Sequence, residues 1–138
     1  MTNQFTTPEF ADVLKQHGIE IDTIFVHYDN RVWASHLNNY DVYTLIDTDT
    51  GSMVISSNIE VKPCYLLSQV LGWLPFSVVI NELDCEVEVW LYGKRVSYDY
   101  KNQYGTFATG NPEKLITQGL TEGWLNKEII EQQIKQNQ

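Results

Sequence analysis

The chain has 138 residues and 16.0 kDa, with 43% hydrophobic and 20% charged residues, which places it among ordinary globular chains and excludes a disordered or fibrous one. Nine basic residues stand against eighteen acidic ones, a formal charge of −9, so neither a phosphate-tracking surface nor a polybasic membrane patch is expected. A chain of this length buries about 68% of its unfolded surface and needs no metal or disulfide staple to form a core.

The segment TTPEFADVLKQHG predicts a short surface helix. Thr7 can cap it, Pro8 suits the first helical position and Gly18 suits a left-handed stop. Phe10, Val13 and Leu14 then form one apolar stripe that a sheet must cover. From Asp22 to Leu37 the chain is rich in β-branched and aromatic residues and is interrupted by Asp29-Asn30, a pair that tolerates the positive φ angles of a tight hairpin. Tyr28 opposite Arg31 puts Ile24, Val26 and Tyr28 on one face with Trp33. Phe25 and His27 then share the other face with Val32 and Ala34. Both faces are partly apolar, so this hairpin is expected at the centre of a sheet or under cover. A third strand is expected over Val42 to Asp47, after an Asn38-Asn39 turn, and a fourth over Met53 to Ser56, after the turn ending at Gly51.

In KPCYLLSQVLGWLP the period changes. Tyr65, Leu66, Val70, Trp73 and Leu74 recur at helical spacing, Pro63 can open a helix, and Gly72 with Pro75 can close it, so a second, largely buried helix is expected here. Phe76 to Asn81 reads as a short apolar strand. CEVEVWLYGKRVSYDY then predicts a hairpin around Gly93-Lys94. With Tyr92 opposite Arg95, Val87, Val89 and Leu91 face Tyr100, Tyr98 and Val96. Asn111, Pro112 and Glu113 open a third helix with Leu115, Ile116, Leu120 and Trp124 as its stripe, and Gly119 and Gly123 allow close approach to a neighbour. Asn126 can cap a last helix carrying Ile129, Ile130 and Ile134, with residues 131–138 expected to fray. The expected fold is α+β: a single domain over residues 1–138, with a mainly antiparallel sheet of five to seven strands and three or four helices mostly on one face.

The order of Trp73-Leu74-Pro75, a strand, a Val/Trp/Tyr hairpin through Tyr100 and FATGNPEKLITQGLTEGWLNKEII, ending in the Trp124-Leu125 pair, resembles small uncharacterised proteins of phages, prophages and gut Bacteroides-type genomes. The resemblance covers roughly residues 62 to 130. It implies a source and a style of fold, and carries no activity and no site residues.

Four constellations bear on chemistry. His27 and His36 fall on one face of the first hairpin, but four residues of offset separate them by on the order of 13 Å, too far for one ion. His17 sits at a helix end where a cation suits the dipole. Asp47-Thr48-Asp49-Thr50-Gly51 resembles the start of a calcium loop, yet Gly51 falls at position five and Asn58 at position twelve, where such a loop needs glycine at six and glutamate at twelve. Asp49-Thr50-Gly51 resembles the aspartic-protease tripeptide, a chemistry that needs a second, facing carboxylate. Cys64 and Cys85 have no ligand spacing and read as small hydrophobes.

No nucleophile elbow, phosphate-cradling loop or dinucleotide fingerprint is present. Glu86 and Glu88 alternate outward on a strand, where solvated carboxylates make poor acids at neutral pH. What stands out is the outer face of the second hairpin. There Glu86, Glu88, Trp90 and Tyr92 lie across from Arg95, Ser97 and Asp99, and the large amphipathic rings are of the kind enriched at binding hot spots.

The expectation is therefore a small acidic non-enzymatic protein of phage or mobile-element origin that binds another protein through Glu86, Glu88, Trp90, Tyr92, Arg95 and Asp99. No catalytic residue, cofactor or metal is expected. Direct nucleic-acid binding and membrane binding are not expected either, and homo-oligomerisation stays open. The start MTNQFTTPEF lacks the basic and apolar regions of a secretory leader, so the expected location is cytoplasmic. Two alternatives are a DNA-mimicking inhibitor of a host nuclease or defence protein, and a small-ligand-binding or hydrolytic domain with a hidden pocket.

Overall fold

The computed structural model describes residues 4–38, 40–75, 77–81, 86–91, 94–96 and 112–136, with residues 77–81, 86–91 and 94–96 described by their backbone alone. The chain is α+β and falls into two compact units, Met1–Leu66 and Leu67–Gln138. In place of one sheet of five to seven strands, the described residues form two antiparallel sheets, one of five strands and one of three.

The first unit opens with α1 (Pro8–Gln16). The Thr7 hydroxyl accepts from the Phe10 N–H, and Gly18 takes φ +68° just past the helix end, so both sequence signals for its limits hold. Phe10, Ala11 and Leu14 are its buried residues. Four strands follow: β1 (Phe25–Tyr28), β2 (Arg31–Leu37), β3 (Tyr43–Asp47) and β4 (Met53–Ser56). Asp29 and Asn30 both have positive φ, 50° and 59°, and join β1 to β2 in the expected register, Tyr28 opposite Arg31 and Val26 opposite Trp33.

A three-residue strand, β5 (Lys62–Cys64), pairs with the far side of β1, giving the order β4-β3-β2-β1-β5. The hairpin is thus central, as its two apolar faces require.

Strand β5 overturns the helix expected to open at Pro63. Only Leu67–Leu71 is helical in that stretch (α2), although Tyr65, Val70, Trp73 and Leu74 are buried as their spacing suggested. Proline extends the residue before it and lacks an N–H, and both properties suit an edge strand, where one side needs no ladder bond. Beyond β5 the N-terminal segment continues the pairing. Thr6 N–H donates to the Tyr65 carbonyl at 2.8 Å, and Tyr65 N–H donates back to the Thr6 hydroxyl at 3.0 Å.

In the second unit β6 (Ser77–Asn81), β7 (Glu86–Leu91) and β8 (Lys94–Val96) form a meander, followed by α3 (Pro112–Glu122) and α4 (Lys127–Gln136). Helix α2 packs on α3. The β7–β8 register is Trp90 opposite Arg95 and Val89 opposite Val96, two residues away from the expected pairing of Tyr92 with Arg95. A shift of two keeps every residue on its face, so the alternating pattern alone cannot distinguish the two registers.

Asn126 caps α4 by accepting from Ile129 N–H at 2.9 Å. The helix runs to Gln136. Gly123 has φ +86° and ends α3, rather than making room for a neighbouring helix. Gly119 does allow a close approach: a Cβ there would lie 2.8 Å from Leu125 Cβ and 2.9 Å from the Trp124 ring.

Gly119→Ala is therefore expected to cost about 1–3 kcal/mol by overpacking. Leu45→Ala, which empties a fully buried position in the first unit, is expected to cost about 2–5 kcal/mol. Urea unfolding of the two variants checks both values.

Candidate functional site

Alternation along the five-stranded sheet sorts its side chains onto two faces with different cover. On one face Val26, Trp33 and Leu45 are buried, with Tyr28, Tyr43 and Val54 packed around them and Ile59 and Val61, from the β4–β5 connection, laid over them. The Trp33 indole N–H donates to the Tyr28 carbonyl at 2.7 Å, so its one polar atom is satisfied.

The opposite face carries a single apolar row through all five strands. Cys64 pairs with Phe25, Phe25 with Ala34, Ala34 with Ile46, and Ile46 with Met53. The N-terminal segment covers only one end of this row. Phe5 meets Phe25 edge-on at 5.0 Å, the Thr6 carbonyl sits 2.7 Å from His27 Nε2 and 3.7 Å from Cys64 Sγ, and Cys64 is fully buried. A carbonyl has no proton to give, so His27 donates from Nε2.

Beyond β1 the cover stops. Ile46 is 44% exposed, Met53 62% and Ile55, on the next row of the same face, 65%. His36 and Thr44 complete that second row, in register with Ile55. The uncovered part of the sheet is thus an apolar strip on β3 and β4 with a polar margin, the composition of a contact surface. Local sequence pattern predicts both strands but not this strip. Its signal was present in Met53-Val54-Ile55, which is apolar at three consecutive positions and so apolar on both faces.

The polar constellations resolve into structure. The Asp47 carboxylate is buried: Oδ2 takes a 2.6 Å ion pair from Arg31 Nη1, and Oδ1 accepts from Asp49 N–H at 2.9 Å. The Arg31 hydrogen bond, followed by the backbone N–H groups of the turn, holds this carboxyl below its ordinary value, and Asp47 raises Arg31 in return. The Asp-Thr-Asp-Thr-Gly stretch is a hairpin turn between β3 and β4, and its first carboxylate is occupied in holding that turn. Burial pushes the Tyr65 hydroxyl up to about 12, and it donates to the Ile21 carbonyl. His27 and His36 share a face and stay apart, since His27 lies opposite Val32.

Around α1 and the outer edge of the sheet runs an open groove of about 1190 Å3, with Lys15, Asp22, His27, Arg31 and Lys62 among its polar lining and Ile19, Ile59 and Val61 among its apolar lining. Lys62 Nζ is paired with Asp12 at 2.9 Å. Among the described residues no three His, Cys, Asp or Glu side chains are grouped to hold a metal ion, and no helix is long and apolar enough to cross a membrane.

Of the residues expected to bind a partner, Glu86, Glu88 and Trp90 occupy alternate positions of β7, on one face, and Arg95 pairs with Trp90 across the ladder. Tyr92 and Asp99 lie outside the described residues, as does the expected Glu88–Asp99 pairing. No family model, curated protein or solved structure matches this chain.

Because Asp47 titrates below the ordinary aspartate value of about 3.9, its contribution to stability is complete above that pH and is lost as pH falls through the folded-state value. Asp47→Asn is expected to lower the urea midpoint at neutral pH, and its gap from wild type is expected to start narrowing below about pH 4. Midpoints collected from pH 3 to 7 check this, and a gap that does not change with pH would contradict it.

Proposed function

We propose that the chain is a non-enzymatic binding or accessory protein whose contact surface is the uncovered apolar strip of the five-stranded sheet. The observation that carries this reading is the half-covered row: the same line of side chains is sealed at Cys64 and open at Ile46 and Met53. Apolar side chains left in water next to a built cover give up burial free energy of about 25 cal/mol per Å2, which a docking protein would recover. The first unit also carries nine acidic against three basic residues, so a partner with an apolar centre and a basic rim suits it best.

The face bearing Glu86, Glu88, Trp90 and Arg95 is a second surface within the same reading, supported by the shared register positions of these residues. The phage or mobile-element setting rests on the resemblance over residues 62–130. Ile46→Lys is expected to abolish capture of the partner from a lysate of the source cell while changing the unfolding free energy by no more than about 1 kcal/mol. Glu88→Gln with Trp90→Ala tests the second surface in the same assay. Full capture by all of these variants would sink the proposal.

The groove around α1 favours a second reading, small-ligand binding. A metabolite that occupies it raises the melting temperature, because a ligand that binds only the folded state stabilises it by mass action. A thermal-shift panel tests this.

A further inference from the structure

We infer that the open edge of the five-stranded sheet is a pairing site for a second copy of this chain, joined antiparallel through β4 about a two-fold axis at Val54. The two edges of the sheet are finished differently. At β5 the edge carries Lys62 and Pro63, and the chain beyond it is bridged by Phe5 against Leu66. Lysine, proline and added cover are the ordinary means of blunting an edge. Strand β4, Met-Val-Ile-Ser, has none of them: no charge, proline or glycine interrupts it, and Met53 and Ile55 are its most exposed residues.

The ladder sets which backbone groups are available. Asp47 N–H donates to the Ser52 carbonyl at 2.8 Å, which makes that pair a hydrogen-bonded one. Pairs alternate along an antiparallel ladder, so Leu45–Val54 and Tyr43–Ser56 are also bonded, while Met53 and Ile55 turn their N–H and C=O groups away from β3. The outward groups therefore sit on residues 53 and 55, symmetric about Val54. Two copies of this edge match each other: Met53 of one exchanges both bonds with Ile55 of the other, and the reverse, while Val54 faces Val54. The exposed strips then abut across the joint, Met53 against Ile55, and extend one apolar row from sheet to sheet.

Charge selects this edge for self-pairing. The first unit carries nine acidic residues against three basic ones, yet Thr50 to Ile59 is uncharged. Two like-charged molecules can meet here without opposing carboxylates, whereas a basic extended peptide would find no acidic side chain on the strand itself. The contact is small, since two four-residue strands bury less than the roughly 1,200 Å2 of a stable interface. The dimer is accordingly weak, forming at concentrations on the order of 1 mM and dissociating at micromolar ones.

This inference rests on the proposed contact surface only through Met53 and Ile55, and the test separates the two. Sedimentation equilibrium is expected to move from a 16.0 kDa monomer toward twice that mass as concentration rises. In parallel, amide exchange at Met53 and Ile55 is expected to slow with concentration, while Val54 and Ser56 stay protected throughout. Ile55→Pro removes one outward donor without touching the β3 ladder, and Met53→Lys with Ile55→Lys sets like charges across the axis. Each is expected to weaken association about tenfold or more with circular dichroism unchanged.

Ile46→Lys, one strand in from the edge, is expected to lose partner capture and keep the dimer, so either proposal can fail alone. A monomer up to about 1 mM, or a dimer that survives the edge substitutions, would overturn the inference.

Discussion

A sheet with apolar side chains on both faces needs cover on both, and the first sixty-six residues of this chain supply it for only one and a half. The connection through Ile59 and Val61 closes over Val26, Trp33 and Leu45. On the other face Phe5 and Thr6 reach Phe25, His27 and Cys64 and go no further. The exposed strip on β3 and β4 begins where that cover ends. Had the N-terminal segment crossed three more strands, Ile46, Met53 and Ile55 would belong to the core.

The polar groups in the same unit work in the opposite sense, by tying turns and edges. Arg31 and the Asp49 N–H hold the buried Asp47 carboxylate at the start of the β3–β4 turn. Asn38 accepts from the Tyr40 and Val42 N–H groups at the β2–β3 turn, where Asp41 takes φ +60°. Thr6 and Tyr65 exchange bonds beside β5. Asp47, the first carboxylate of the Asp-Thr-Asp-Thr-Gly stretch, is thus committed to backbone geometry. Strand β4 exposes apolar side chains and a backbone edge.

Local signals set much of the architecture. Thr7, Pro8 and Gly18 set the limits of α1, Asn126 opened α4, and Asp29-Asn30 placed a two-residue turn whose register carried β1 and β2 into correct pairing. Each acts within a few residues and needs no knowledge of the rest of the chain. The hairpin's two apolar faces also foretold its central position, because a residue row can avoid water on both sides only between neighbours.

What the amino-acid order could not decide were choices among equally good local fits. Pro63 satisfies a helix start and an edge strand alike, and it became a strand because β1 offered it an unpaired side. The β7–β8 pairing slid by two residues, a move that leaves every face intact and so leaves no trace in an alternating pattern. One sheet and two sheets read the same along the chain, since strand order is a long-range outcome. Met53-Val54-Ile55 is legible as apolar on both faces, but its union with Ile46 in an exposed strip is not: Ile46 and Met53 are seven residues apart in sequence and adjacent only through the ladder. Whether an apolar residue is core or surface depends on what folds over it, and that is a property of the tertiary structure alone.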